Sequence, residues 1–160
     1  MRTVFWVAVI IFLSDQATKY YVVHMLSLDR VLAINVWDPY FNLRMAWNYG
    51  INFGLLSLDS AEQREMMRWV LIGVALTIAA AVLWWIYREP GSLWHRIAAG
   101  FLVGGALGNV VDRVLYGAVA DFINMSCCGV QNPYAFNIAD IAVFIGAFGL
   151  VVLPHNEKAA

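Results

Sequence analysis

Asp121 lies within AVADFI (118–123) and Asp140 within FNIADIAVF (136–144), each an acid flanked by apolar residues. Two carboxylates held close in a low-dielectric site cannot both ionise cheaply, so they share one proton and titrate as a unit. One then serves as general base for water and the other as general acid toward a carbonyl or leaving amine, the chemistry of aspartic peptidases, which needs no cofactor. Other catalytic options are poorer. His24, His95 and His155 are scattered, with no H-E-x-x-H helix and no clustered ligands, so no metal is expected. No G-x-S-x-G elbow occurs. Gly104, Gly105 and Gly108 fall inside an apolar run, where they cannot form a phosphate loop after a strand. Cys127 and Cys128 are adjacent. Neighbouring Cα atoms sit about 3.8 Å apart, below the usual disulfide span, so the two are expected to be loop thiols without chemistry.

The elements that must position these acids follow from composition. The 160 residues are 62% hydrophobic and 13% charged, with mean hydropathy +0.68, which is membrane composition. A net charge of −1 leaves no basic footprint for nucleic acid. Apolar segments at 4–23, 69–86, 97–116 and 136–153 are each about long enough to cross a hydrocarbon core of roughly 30 Å, the first being read as a retained membrane helix. Arg2, Arg88, Arg96 and Lys158 crowd the short segments, which favours both termini in the cytoplasm and residues 24–68 and 117–135 outside. Within the outer region, VLAINVW (31–37) and YFNLRMAW (40–47) flank the turn signal Asp38-Pro39 and predict a small antiparallel sheet. Ser60 to Gln63 reads as a capping box that starts a short helix along the membrane surface, expected to act as a mobile flap. The expected fold is thus membrane α-helical, a single domain over 1–160 with four transmembrane helices, a small extracytoplasmic sheet and a surface helix.

Three of the four spans carry polar clusters. Asp15 and Lys19, four residues apart, share a helical face and would make a self-compensating ion pair. Asn109, Asp112, Arg113 and Tyr116 form one stripe, and Gly100, Gly104 and Gly108 recur every four residues as a close-packing seam. Asn137 and Asp140 again share a face. An Asp at a span's centre costs roughly 2.5–3.5 kcal/mol, which the apolar run from Ile141 to Leu153 can offset. Ionisable groups at such depth are functional by default, although an Asp112–Arg113 pair that merely holds the bundle together is the structural alternative. A proton relay through Asp112, Arg113, Asp121 and Asp140, or a binding protein using the outer sheet, are the rival functions. Neither accounts as well for two acids that bunch at one surface.

These motifs together resemble the bacterial lipoprotein signal peptidases, the signal peptidase II family. The resemblance covers almost the whole chain. It rests on Asp15-Gln16-Ala17-Thr18-Lys19, Asn48-Tyr49-Gly50 before Phe53, Gly105-Ala106-Leu107-Gly108-Asn109 with Asp112-Arg113, Val119-Ala120-Asp121-Phe122, and Phe136-Asn137-Ile138-Ala139-Asp140. Ile51 and Asn52 depart from the small residues the family usually carries after its Asn-any-Gly. The resemblance implies an inner-membrane aspartyl endopeptidase with an outer-facing β-cradle, which removes the signal peptide of a prolipoprotein just before a diacylglyceryl-modified cysteine. By carry-over Asp121 and Asp140 are the catalytic pair. Asn48, Gly50, Asn109, Asp112, Arg113 and Asn137 line the site, and Asp15 and Lys19 support it. The partners implied are the lipid-modified precursor and membrane lipid, with no nucleic acid and a monomeric enzyme.

Overall fold

In the computed structural model, which describes residues 1–50, 60–130 and 132–153, the first apolar run forms helix α1 (Arg2–Lys19) and continues as a π-helical segment, Tyr20–Met25. A short α2 (Leu28–Val31) leads into strands β1 (Ala33–Trp37) and β2 (Phe41–Asn48). Helices α3 (Ala61–Arg88) and α4 (Leu93–Tyr116), strand β3 (Val119–Asn124) and helix α5 (Ile138–Val152) complete the order. The expectations attached to Ile51, Asn52, Phe53, His155 and Lys158 lie outside the described residues.

Helix α4 is the centre, with α1, α3 and α5 packed on it. Its glycines set how close the neighbours come. A Cβ on Gly104 would lie 2.6 Å from the Ala8 carbonyl oxygen, and one on Gly105 would lie 2.5 Å from that of Ala139. Small residues at such crossings let membrane helices approach backbone to backbone. The contacts also fix direction. Gly100 meets Val4 and Val7 while Gly108 meets Asp15, so α1 and α4 run parallel. Gly105 meets Ala139 while Gly146 meets Leu102 and Ala98, so α5 runs antiparallel to α4. One end of the bundle therefore gathers the starts of α1 and α4, the end of α5 and, through Val4 against Ile86, the end of α3. The other end gathers the sheet. Gly104→Ala should cost about 1–3 kcal/mol, read as a lower thermal midpoint in detergent, because a backbone oxygen rather than a flexible side chain must move. An unchanged midpoint would mean the α1–α4 contact has slack.

Ala61–Arg88 and Leu93–Tyr116 are long and apolar enough to cross a membrane, and Ile138–Val152 is a shorter apolar helix of 15 residues. Phe5, Trp6, Ile10, Phe144, Phe148 and Val151 are exposed on the outer faces. Bilayer rather than water suits such a contiguous apolar surface.

The sheet has the order β1-β2-β3, antiparallel throughout, with β1 and β2 joined through Asp38 and a cis Pro39 as the turn signal predicts. Strand β3 is an addition to the expected two. It is buried along its whole length and so lacks the in–out alternation by which a strand is read. Phe122 and Ile123 pack with Val22, Leu28 and Leu43, anchoring the sheet to the segment that follows α1.

Two expectations are overturned. The capping box at Ser60 forms, with Ser60 Oγ accepting from Gln63 N at 3.1 Å and Gln63 Oε1 accepting from Ser60 N at 3.2 Å. It opens α3 itself, however, and no separate surface helix follows, because between Gln63 and Ile86 the sequence holds only Gly73 and no proline to break it. Arg68 Nη2 also donates to Val114 O at 2.9 Å, tying this end of α3 to α4 rather than freeing it as a flap. The second concerns the cysteines. Cys127 and Cys128 are joined as a disulfide inside a tight turn that pairs Cys127 with Val130 and places Cys128 and Gly129 at positive φ.

Candidate active site

Asp140 is the third residue of α5, and Asn137 is its N-cap. Asn137 Oδ1 accepts from Asp140 N at 2.9 Å, and Asp140 Oδ2 accepts from Asn137 N at 3.2 Å, a reciprocal capping box. The first turn of a helix has unsatisfied N–H groups and a dipole that favours negative charge. That is the local reason an acid can open so apolar a helix. The other carboxylate oxygen, Oδ1, accepts from Asn109 Nδ2 of α4 at 2.9 Å.

Asp121 is set by strand register. It stands opposite Ala46, so Asn48, two residues further along β2, is its diagonal neighbour on the same face. Asn48 Nδ2 donates to Asp121 Oδ2 at 3.0 Å, while Asn48 Oδ1 accepts from Gly50 N at 3.2 Å and holds the chain where β2 ends. Asn137 Nδ2 donates to Asp121 Oδ1 at 2.7 Å. Asn137 thus bridges the two acids, one through its amide nitrogen and the other through its amide oxygen. Asp121 is only 1% exposed. Burial raises its pKa, the negative charge of Asp140 raises it further, and the amides of Asn48 and Asn137 oppose the rise, leaving it at about 7.

Arg113 places a positive charge beside this pair, interacting with Asp140, Asp121 and Asp112. Its Nη1 donates to Asn109 O at 3.3 Å, and its buried Nε has no hydrogen-bond partner among the described residues. A guanidinium with donors to spare suits the carbonyl or ester oxygen of an incoming ligand.

Behind the pair lies a second polar layer. Lys19 Nζ is 2.8 Å from both Asp15 Oδ2 and Asp112 Oδ2, and it donates to Asn109 Oδ1 at 3.3 Å. Asp15 Oδ1 accepts from Ala139 N at 2.9 Å, and Asp112 Oδ2 accepts from Ala120 N at 3.2 Å. Each of these amides immediately precedes one of the two paired acids. The Asp15–Lys19–Asp112 triad therefore fixes the backbone from which Asp140 and Asp121 project.

All ten residues singled out in the sequence meet in this one network, Gly50 through Asn48. The expected Asp15–Lys19 pair forms, and two details go beyond it and set aside the structural alternative. Lys19 neutralises Asp112 as well as Asp15, and the ion-pair partner of Asp112 is Lys19 rather than Arg113. Tyr116, at the end of the stripe, is half exposed and packs against Trp47 and His24. Gln16 was not anticipated as a member. Its Nε2 donates to Asp112 Oδ1 at 3.0 Å and to Asp15 Oδ2 at 3.1 Å. A polar residue in an apolar span, three before Lys19 and so its neighbour on the helix, was the available signal.

The family model described as signal peptidase (SPase) II matches residues 7–154. The chain is 34% identical over 154 residues to the lipoprotein signal peptidase of Vibrio parahaemolyticus, spanning 96% of this chain and 88% of that one. It is 40% identical over 138 residues to the lipoprotein signal peptidase of a Methylobacterium species, spanning 86% and 79%. Among solved structures, a bacterial membrane enzyme determined at 1.9 Å superposes with a TM-score of 0.77 at 27% identity, covering 95% of this chain and 92% of that one. The fold and the site define a membrane-embedded peptidase. The chain belongs to the signal peptidase II family.

Proposed function

We propose that this protein is an aspartyl endopeptidase that removes the signal peptide of diacylglyceryl-modified prolipoproteins, cutting on the amino-terminal side of the lipidated cysteine. It would act in the inner membrane with both termini cytoplasmic and the site near the outer face. The observation that carries the reading is the pair of carboxyls bridged by Asn137, one of them raised to about 7 and so able to hold a proton at neutral pH.

Asp121 holds the shared proton and Asp140 accepts one from water as its oxygen attacks the scissile carbonyl. Asp121 gives its proton to the carbonyl oxygen, forming a tetrahedral diol. Asp140 then gives its proton to the amide nitrogen while one hydroxyl of the diol gives its proton to Asp121, so the C–N bond breaks, a carboxylic acid and an amine leave, and the pair is restored. Arg113 and Asn48 position the substrate's carbonyl groups. Acyl chains remain in lipid while the peptide reaches the site sideways from the bilayer. The names of the relatives support the substrate class. The test is incubation of the purified protein with a lipidated precursor and the same precursor without its diacylglyceryl group. A shorter product from the lipidated form alone is expected, and cleavage of neither would end the reading.

A pH dependence follows. Below about 7 Asp121 keeps its proton, and above it Asp121 is ionised and cannot act as the general acid. The value of kcat/KM should therefore fall as pH rises through about 7, approaching a tenfold loss per pH unit. A rate still rising between pH 8 and 9 would assign the proton elsewhere.

A further inference from the structure

The site takes up one side of α4, but the other side holds an unassigned feature. Helices α1 and α3 both pack on α4 yet touch each other little. Between them lies a groove of about 940 Å³ lined by Val4, Phe5, Val9 and Phe12 of α1, Leu83 of α3 and Leu107 of α4, among others, with Arg2 at its mouth. The lining runs along α1 from Met1 to Phe12 and along α4 from Val103 to Val111. From Arg2 to Phe12 the α1 stretch covers about 15 Å of helix axis, the depth of one leaflet in a roughly 30 Å core.

Three observations say what fills it. First, it is not the peptide-cleaving site seen from behind. Leu107 and Val111 each stand two residues from Asn109, about 200° round the helix, so the groove opens on the side of α4 away from the Asn137-bridged acids. Second, its mouth is basic. Because α1 and α4 run parallel with Gly100 against Val4 and Val7, Arg96, one turn before Gly100, comes level with Arg2. The buried Nε of Arg96 has no hydrogen-bond partner among the described residues. Among the described residues this end of the bundle carries Arg2, Arg88 and Arg96 against one acid, Glu89. Third, Trp6, Trp84 and Trp94 are exposed toward this end of the bundle, and aromatic side chains mark a membrane–water interface. A basic mouth on an apolar, leaflet-deep groove between helices is the arrangement that holds an anionic lipid.

We propose that this groove binds one anionic glycerophospholipid, with an acyl chain along Val9, Phe12 and Leu107 and the headgroup phosphate at Arg2 and Arg96. The lipid would fill the gap between α1 and α3 and so brace the helix that carries Asp15 and Lys19.

The experiment reconstitutes the full chain into nanodiscs of equal phosphatidylglycerol and phosphatidylcholine, transfers it to detergent and counts retained lipid by native mass spectrometry. One retained phosphatidylglycerol, and little phosphatidylcholine, is expected. Arg2→Gln and Arg96→Gln should each lower retention about fivefold. Leu107→Trp, which fills the groove, should abolish retention while precursor cleavage persists. Equal retention of both lipids would overturn the headgroup assignment on the unmodified chain alone, whatever becomes of the variants. Undiminished retention by a folded Leu107→Trp would overturn the groove, as would displacement of the lipid by a synthetic signal peptide.

Discussion

Asp121→Asn and Asp140→Asn should each bring cleavage of a lipidated precursor below detection while leaving a folded protein. General acid–base catalysis contributes about 10²–10⁴-fold per group, and here each acid serves both as donor and as acceptor over a cycle, so the loss should reach at least the upper part of that range. The two effects should not add, because a pair that shares a proton works only as a pair, and the double variant should be no worse than either single one. Folding should survive for a local reason. At position 140 an amide oxygen can still accept from Asn137 N in the cap, and at position 121 it can still accept from Asn137 Nδ2. Each change also removes a carboxylate from a buried setting, so stability should move by no more than about 1 kcal/mol in either direction. Denaturation midpoints in detergent check the fold, and precursor turnover checks the chemistry. Near-normal turnover in either variant would remove the proposed mechanism.

The same variants separate a peptidase from a proton relay. A relay needs polar groups through the depth of the bilayer. Here the buried polar network reaches from Asn48 to Asp15 and Gly108, and beyond it the α1–α4 and α4–α5 contacts are made by Gly100, Gly104, Gly146, Val7, Ala8 and Ala98. No chain of titratable side chains crosses that seam among the described residues.

How much of this was legible in the chain depends on whether the signal was local. The polar stripe on α4, the glycine seam, the shared face of Asn137 and Asp140 and the hairpin at Asp38-Pro39 each express a period or a turn within a few residues, and the structure contains all four. What escaped was set by distant contacts. Strand β3 is a strand because β2 pairs with it, and its six buried residues carry no alternation to announce it. The partner of Asp112 is Lys19 from another helix, whereas adjacency in sequence suggested Arg113. Adjacent residues on a helix point about 100° apart, so a neighbour in sequence is a poor candidate for a pair. The extent of α3 was misjudged for the opposite reason: a start signal at Ser60 is readable, but only the absence of a breaker tells where the helix continues.

Lys19→Met should be the most destabilising single change in the polar layer, by about 3–5 kcal/mol. The lysine side chain is 7% exposed, and the Asp15 and Asp112 side chains it joins are 0% and 1% exposed. Methionine matches much of its volume, so packing is largely kept and the loss isolates the charge. Two carboxylates are then left buried and close together without the cation that joins them. The damage should travel to the site, because Asp15 holds Ala139 N and Asp112 holds Ala120 N, the amides that precede Asp140 and Asp121. Activity should therefore fall along with stability, whereas in Asp121→Asn activity falls alone. Adding Asp112→Asn to Lys19→Met removes one stranded charge, so the double variant should be more stable than the sum of its parts by about 0.5–3 kcal/mol. Denaturation midpoints of the four proteins in detergent give that coupling directly. Strictly additive losses would mean that Lys19 and Asp112 act apart, and the layer behind the paired acids would then be a set of separate contacts with no common hold on β3 and α5.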